Sequence, residues 1–108
     1  MPNNADAKKI EILREVANSV LPADAHVWLY GSRARGDAHE DSDWDLLILL
    51  AKETVTTEDE DCIAFPFVFA GWQHDMDVNP QTYTFDEWSS KNFTPYYQNV
   101  ERDKLIIA

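Results

Sequence analysis

The feature that most constrains the fold is the apolar run "WDLLILL", residues 44–50, which directly follows Asp43. Beyond Asp45 the run is apolar at every position, so it is apolar on both faces of an extended chain. A strand of that kind is usually central in a sheet and covered on both sides. The run therefore predicts a buried β-strand over residues 43–50, with further structure packed on each face of its sheet.

The segment before this strand supplies one covering helix and one partner strand. Asn4 and Asp6 are candidate caps, and Pro22 ends the helix. Apolar residues recur between them at helical spacing: Ile10, Leu13, Val16, Ala17 and Val20. "AHVWLYG" is rich in β-branched and aromatic residues and predicts a strand over residues 26–31.

The segment after the central strand is less uniform. Residues 51–61 are polar and acidic, which indicates a solvated loop or a helix start, and Pro66 leaves "CIAFPFVFAGW" ambiguous. From Trp72 polar and apolar residues alternate, which predicts a third strand from residue 72 to about residue 83. "FDEWSSKNF" and "TPYYQNVERDKL" resemble short helices. One α/β domain over residues 1–108 is expected.

Composition excludes several classes of function. Nine basic and twenty acidic residues give a net charge of −11, which disfavours binding to nucleic acid. No apolar run approaches the length of a membrane span, and the N-terminus lacks a secretory pattern, so a cytoplasmic location is expected. The single cysteine, Cys62, cannot form an intrachain disulfide and is expected to be a small buried hydrophobe.

The carboxylate pair at Asp43 and Asp45 is the first candidate site. Two residues apart on a strand, the side chains point to the same face and repel each other unless a cation lies between them. Oxygen ligands of this kind suit Mg²⁺. The alternative is that both aspartates lie in a solvated turn before the strand, with Trp44 pointing into the core.

The dipeptide Gly31-Ser32, ten residues before that pair, is the second candidate site. Glycine lets a phosphate approach the backbone, and a serine hydroxyl can donate to it. Arg33 and Arg35 are the only basic residues between Arg14 and Lys52, and both suit phosphate binding. Ser32 and Arg33 are expected to be exposed. The alternatives are an ordinary capped turn and surface arginines that aid solubility.

A third carboxylate would complete a two-metal site. Asp77 is preferred because Asn79-Pro80 suggests that the strand is about to leave the sheet, and Asp75 is the alternative. His74 is expected to point to the other face as a half-buried structural residue rather than as a ligand.

At these residues the sequence resembles the nucleotidyltransferase superfamily related to DNA polymerase beta, and more narrowly the minimal nucleotidyltransferases of prokaryotes. "GSRARGDAHEDSDWDLLILL" carries most of the match, and "DMDVNPQTYTFDEW" and "TPYYQNVERDKLIIA" resemble later family elements. The resemblance implies a small mixed sheet flanked by helices. It also implies Gly31 and Ser32 at a triphosphate, and Asp43, Asp45 and Asp77 as ligands of two Mg²⁺ ions. Ser42 is grouped with the candidate nucleotide-binding residues.

The resemblance also suggests a substrate and a partner. Many members are encoded beside a helical partner of the HEPN class, and in some pairs the nucleotidyltransferase is an antitoxin that transfers AMP from ATP to that partner. The family's tail usually carries Glu-Gly where this chain has "ERDK", so the chain departs from the family at a turn that the resemblance associates with the partner contact. The competing hypotheses are a catalytically silent binding module and a small-molecule nucleotidyltransferase of the antibiotic-modifying kind.

Overall fold

A computed structural model describes residues 4–108, with side chains from Asp6 onward. Its centre is a four-stranded sheet in the order β3-β2-β1-β4. The strands are β1 His26–Tyr30, β2 Trp44–Leu50, β3 Val78–Thr84 and β4 Leu105–Ile106. The β1 strand is antiparallel to both β2 and β4, whereas β2 and β3 are parallel. The sheet is therefore mixed, as the resemblance implied.

The two faces of β2 are buried in two different clusters, which confirms the predicted central strand. Trp44, Leu46, Ile48 and Leu50 pack with the long N-terminal helix and with residues 63–67. Leu47 and Leu49 pack with Trp88, Val100 and a set of partly buried aromatic rings on the other face. Asp45 lies on this second face, because alternate residues of a strand share a face.

Helix α1, Asn4–Val20, covers the first face and ends before Pro22, as predicted. Ile10, Leu13 and Ala17 are buried in the core, in agreement with the helical spacing of the sequence. Asp6 lies inside the first turn, buried beside Arg33, so its role differs from that of a terminal cap. The predicted cap at Asn4 concerns a side chain outside those described.

The ambiguous segment after β2 is helical. A short helix, α2, Ser32–Arg35, lies before β2. After β2 the chain forms three consecutive helical pieces: α3, Thr57–Asp59; a π-helical turn, Glu60–Ala64; and α4, Phe65–Gln73. The widened turn is closed by the Phe65 N–H donating to the Glu60 carbonyl. Pro66 has no N–H and its ring crowds the preceding turn, which accounts for the local widening. Cys62 lies on this segment and is exposed, so its predicted burial is wrong.

The predicted start of the third strand at residue 72 is also wrong. Residues 72 and 73 end α4, and β3 begins only at Val78. The Gly71 carbonyl accepts the N–H groups of His74 and Met76, and Asp75 takes a positive φ of 57° in the turn. His74 is exposed in this turn, contrary to the half-buried place expected for it. The chain thus turns tightly against Gly71 before it enters the sheet.

The last helices match the sequence patterns. Helix α5, Phe85–Ser89, has a capping box in which Thr84 and Glu87 each bind the other's backbone N–H, and α6, Pro95–Asp103, is capped by Thr94. Both helices cover the second face of the sheet through Trp88 and Val100. None of the helices within residues 4–108 is both long and apolar enough to cross a membrane.

Candidate active site

The turn between β1 and α2 brings the Gly31 backbone against the Asp45 carboxylate. Gly31 has φ 74° and ψ −158°, a conformation that is almost restricted to glycine. A Cβ at this position would lie 2.7 Å from Asp45 Oδ2. The Gly-Ser turn and Asp45, which belong to the two candidate sites of the sequence, therefore lie in direct contact. Ser32 follows as the first residue of α2 and is partly exposed.

Asp45 is the half-buried member of the aspartate pair. It lies opposite Tyr30 on β1 and beside Asn79 on β3. Burial raises the pKa of Asp45 above its ordinary value, a hydrogen bond with the Asn79 side chain opposes the rise, and the negative charge of Asp43 adds to it. Asp43 is exposed just before β2. The pair is thus close enough to interact, and a cation beside it would relieve the repulsion.

Asp77 lies at the same edge of the sheet as Asp43. The Trp44 N–H donates to the Asp77 carbonyl at 2.8 Å, which extends the parallel pairing of β2 and β3 by one step. The Asp77 side chain is exposed, as is that of Asp75 in the preceding turn. Across residues 4–108, no three Asp, Glu, His or Cys side chains are arranged so that they could hold a metal ion. Asp43 and Asp45 are brought together, and Asp77 as third ligand stays a prediction.

Arg33 differs most from its predicted placement, because it is buried rather than exposed. Its Nη1 donates to Asp6 Oδ1 at 3.2 Å, and its other nitrogens donate to the carbonyls of Ser42 and Glu40 at 2.9–3.2 Å. The guanidinium lies 4.7 Å from the centre of the Trp44 ring. Arg33 therefore ties the loop before β2 to α1, and this role replaces the expectation of a loosely held surface side chain.

Arg35 and Ser42 also have defined contacts. Arg35 is exposed and donates to Asp37 at 3.1 Å and to Asp103 at 3.2 Å. Ser42 Oγ accepts from the His39 N–H at 3.1 Å, inside the loop that Arg33 holds. Both residues lie in segments next to the Gly31 turn or the aspartate pair, and nucleotide binding by either stays a prediction.

A groove of about 520 Å³ opens on the Asp77 side of this region. It is lined by Lys9, Arg33, Glu40, Asp41, Ser42, Trp72, Asp75, Met76 and Asp77. Gly31, Ser32, Asp43 and Asp45 do not line it. Of the candidate site residues, Arg33, Ser42, Asp75 and Asp77 thus line the groove.

Two residues near the site had no predicted role. Asn79 contacts the Asp45 carboxylate, and Tyr30 lies opposite it with its hydroxyl 3.2 Å from that of Tyr96. The alternation of polar residues before Pro80 already placed Asn79 on the same face as Asp77. No local pattern marked Tyr30, because its neighbourhood depends on the register of β1 against β2.

The chain matches one family model and is similar to two solved structures. The family model described as "Nucleotidyltransferase domain" matches residues 9–103. A crystal structure of a toxin-antitoxin with AMP-PNP has 18% identity and a TM-score of 0.64, and the alignment covers 92% of this chain and 72% of that one. A candidate nucleotidyltransferase from Sulfolobus solfataricus has 21% identity and a TM-score of 0.59, with 93% and 79% covered. A search of curated proteins gave no match.

These similarities agree with the mixed sheet and the flanking helices. Because the family model matches most of its length, this chain belongs to the nucleotidyltransferase domain family.

Proposed function

We propose that this protein is a Mg²⁺-dependent nucleotidyltransferase that moves AMP from ATP to a hydroxyl group of a protein partner. The observation that carries the proposal is the contact between the Gly31 backbone and the Asp45 carboxylate, with Asp43 close by. The missing side chain at Gly31 lets the Asp45 carboxylate lie against the turn between β1 and α2. The two aspartates suit a cation that would bridge them to a phosphate bound at that turn.

The residues present fit a hard divalent cation. Asp43 and Asp45 offer oxygen ligands, and a cation beside them would relieve the repulsion between their charges. Asp43 and Asp45 would hold Mg²⁺, with Asp77 completing a site for two ions. Such ions supply charge stabilisation for displacement at phosphorus.

The chain's own residues would bind and orient the substrates. Ser32, Arg35 and Ser42 are the proposed contacts of the triphosphate, and Arg33 keeps the loop before β2 in place. In the reaction the acceptor oxygen bonds to the α-phosphorus as the bond to pyrophosphate breaks. The hydroxyl proton is released, and Asp77 is the carboxylate proposed to accept it.

A label-transfer experiment tests this reaction. The chain is incubated with the product of its neighbouring reading frame, α-labelled ATP and Mg²⁺, and label is followed by gel and mass spectrometry. Label should appear on the neighbouring gene product. The amount of label should fall by at least about a hundredfold with Asp43→Asn or Asp45→Asn, because each change removes a proposed Mg²⁺ ligand and the charge stabilisation by the metal is worth several kcal/mol. Asp24→Asn is the matched control, since Asp24 lies in the turn at the far end of β1 and its φ of 61° suits asparagine.

A catalytically silent binding module is the second candidate. It is favoured by the absence, within residues 4–108, of a preformed set of three metal-binding side chains, and by the fold shared with a toxin-antitoxin structure. In that case the neighbour would bind tightly without becoming labelled, and would bind equally tightly to the Asp43→Asn variant. That result would contradict the enzyme proposal.

A further inference from the structure

Helix α4 carries a row of three exposed aromatic side chains that the proposed nucleotide site does not use. Phe65, Phe69 and Trp72, here called the aromatic row, are 47%, 50% and 62% exposed. The Phe65 ring lies 6.4 Å from that of Phe69 and 5.7 Å from that of Trp72, measured between centroids. Their spacing of four and three residues places them along one side of the helix for two turns. Large apolar side chains grouped in this way mark an interaction surface.

Acidic side chains lie beyond both ends of the aromatic row. Exposed Glu58, Glu60 and Asp61 precede it along the same helical run, and exposed Asp75 and Asp77 follow it. Trp72 also forms part of the wall of the 520 Å³ groove, together with Glu40, Asp41, Asp75 and Asp77. Four acidic residues line the groove against two basic ones, Lys9 and Arg33, and Arg33 is paired with Asp6. The apolar surface is therefore continuous with an acidic groove.

We infer that the aromatic row binds an amphipathic helix of a partner protein whose apolar face is flanked by lysine and arginine, with one basic side chain entering the groove beside Trp72. A row of anchors at i, i+4 and i+7 is the pattern by which helices pack against one another. The acidic ends select a basic partner by charge, and Trp72 offers its ring to a cation. A second copy of this chain fits poorly, because each copy carries a charge of −11.

This inference deepens the proposed function and rests on it in one respect, namely that the bound partner carries the acceptor hydroxyl. The groove joins the aromatic row to Asp77 and Ser42, so a helix seated on the row would approach the candidate site from the groove. The docking itself requires neither nucleotide nor metal.

The test uses two synthetic helical peptides of about 20 residues that share the same leucine face. One has lysines on the flanks of that face and the other has glutamates at the same positions. Calorimetry with the full chain, without ATP or Mg²⁺, should show binding of the lysine peptide and at least about tenfold weaker binding of the glutamate peptide. Phe69→Ser and Trp72→Ala should each weaken binding of the lysine peptide by about tenfold.

Phe93→Ser is the matched control, because Phe93 is 79% exposed and lies outside the aromatic row, between α5 and α6. It should leave peptide binding unchanged, and circular dichroism should show each variant folded. The inference is overturned by equal binding of both peptides, by binding that Phe69→Ser does not weaken, or by no binding of the lysine peptide. A dimer of the wild-type chain that Phe69→Ser dissociates would instead assign the row to a second copy.

The outcomes separate this inference from the proposed reaction. Asp43→Asn should abolish label transfer while leaving binding of the lysine peptide intact. If the wild-type chain binds the lysine peptide but transfers no label, the result counts against the catalytic proposal alone. Failure of the wild-type chain to bind the peptide would count against the docking surface alone.

Discussion

At the scale of single residues, the candidate site depends on two unlike constraints. Gly31 is required by conformation and by space, since its φ is positive and Asp45 occupies the volume of a side chain. Arg33 is required by contacts, since it is buried between Asp6, Trp44 and the carbonyls of the loop before β2. Both residues lie in the same short turn, and they should respond differently to substitution.

Gly31→Ala should destabilise the protein and disturb the aspartate pair. The backbone conformation disfavours alanine by about 1–3 kcal/mol, and the new Cβ would push against Asp45 Oδ2. Urea denaturation should show this loss. Gly36→Asn is the control, because Gly36 is left-handed at the end of α2, where asparagine is tolerated. Equal stability of Gly31→Ala and wild type would mean that the turn adapts freely.

Arg33→Ala should cost about 3–5 kcal/mol of unfolding free energy, because it removes the cation that faces a buried Asp6 carboxylate. Arg35→Ala should cost much less than Arg33→Ala, because the Arg35 side chain is exposed and solvent screens its ion pair with Asp37. Chemical denaturation of the two variants side by side provides the comparison. A similar small loss for both would show that the Arg33 contacts contribute little.

At the scale of secondary-structure elements, α5 and α6 are joined by Glu101. Its carboxylate accepts from Trp88 Nε1 at 3.0 Å and from Lys104 Nζ at 2.8 Å. The Trp88 ring stacks on that of Tyr97 with a centroid distance of 4.9 Å. This contact holds the two helices against the face of the sheet that carries Asp45, so the packing of α5 and α6 supports one side of the candidate site.

Glu101→Gln should reduce the loss of stability in acid. Burial pushes the pKa of Glu101 up, but hydrogen bonds from Lys104 and Trp88 outweigh it and hold the pKa below the ordinary value of 4.5. A lowered folded-state pKa contributes stability that is present above about pH 4.5 and is lost as the pH falls through the folded value. Urea denaturation should therefore show that the free energy of unfolding falls less between pH 7 and pH 4 in the variant than in the wild type. An unchanged difference would assign acid sensitivity to other carboxylates.

At the scale of the whole molecule, the net charge of −11 is the dominant property. Its acidic residues repel one another in the compact state, and salt screens that repulsion. The melting temperature should therefore rise as NaCl increases from about 10 mM to about 300 mM, as calorimetry would show. A fall over that range would mean that the ion pairs, such as Lys52 with Asp59, outweigh the general repulsion.

The sequence by itself determined the central strand and placed Asp43 close to Asp45. Both follow from local rules, since a continuous apolar run forms a covered strand and residues two apart share a face. The contact of Gly31 with Asp45 instead depends on the pairing of β1 with β2. The start of β3 could not be predicted, because the alternation from Trp72 overlaps the end of a helix and the chain turns only where Gly71 packs against Met76 and Val78.

The tertiary structure alone decided the role of Arg33 and the environment of Asp45. Arg33 meets Asp6 across 27 residues of chain, and Asp45 meets Asn79 only through the pairing of β2 with β3. Local periodicity carries no information about such contacts, because they depend on which elements pack together. An arginine is expected on the surface from its residue type, but Arg33 is buried and its hydrogen bonds hold the loop of the candidate site.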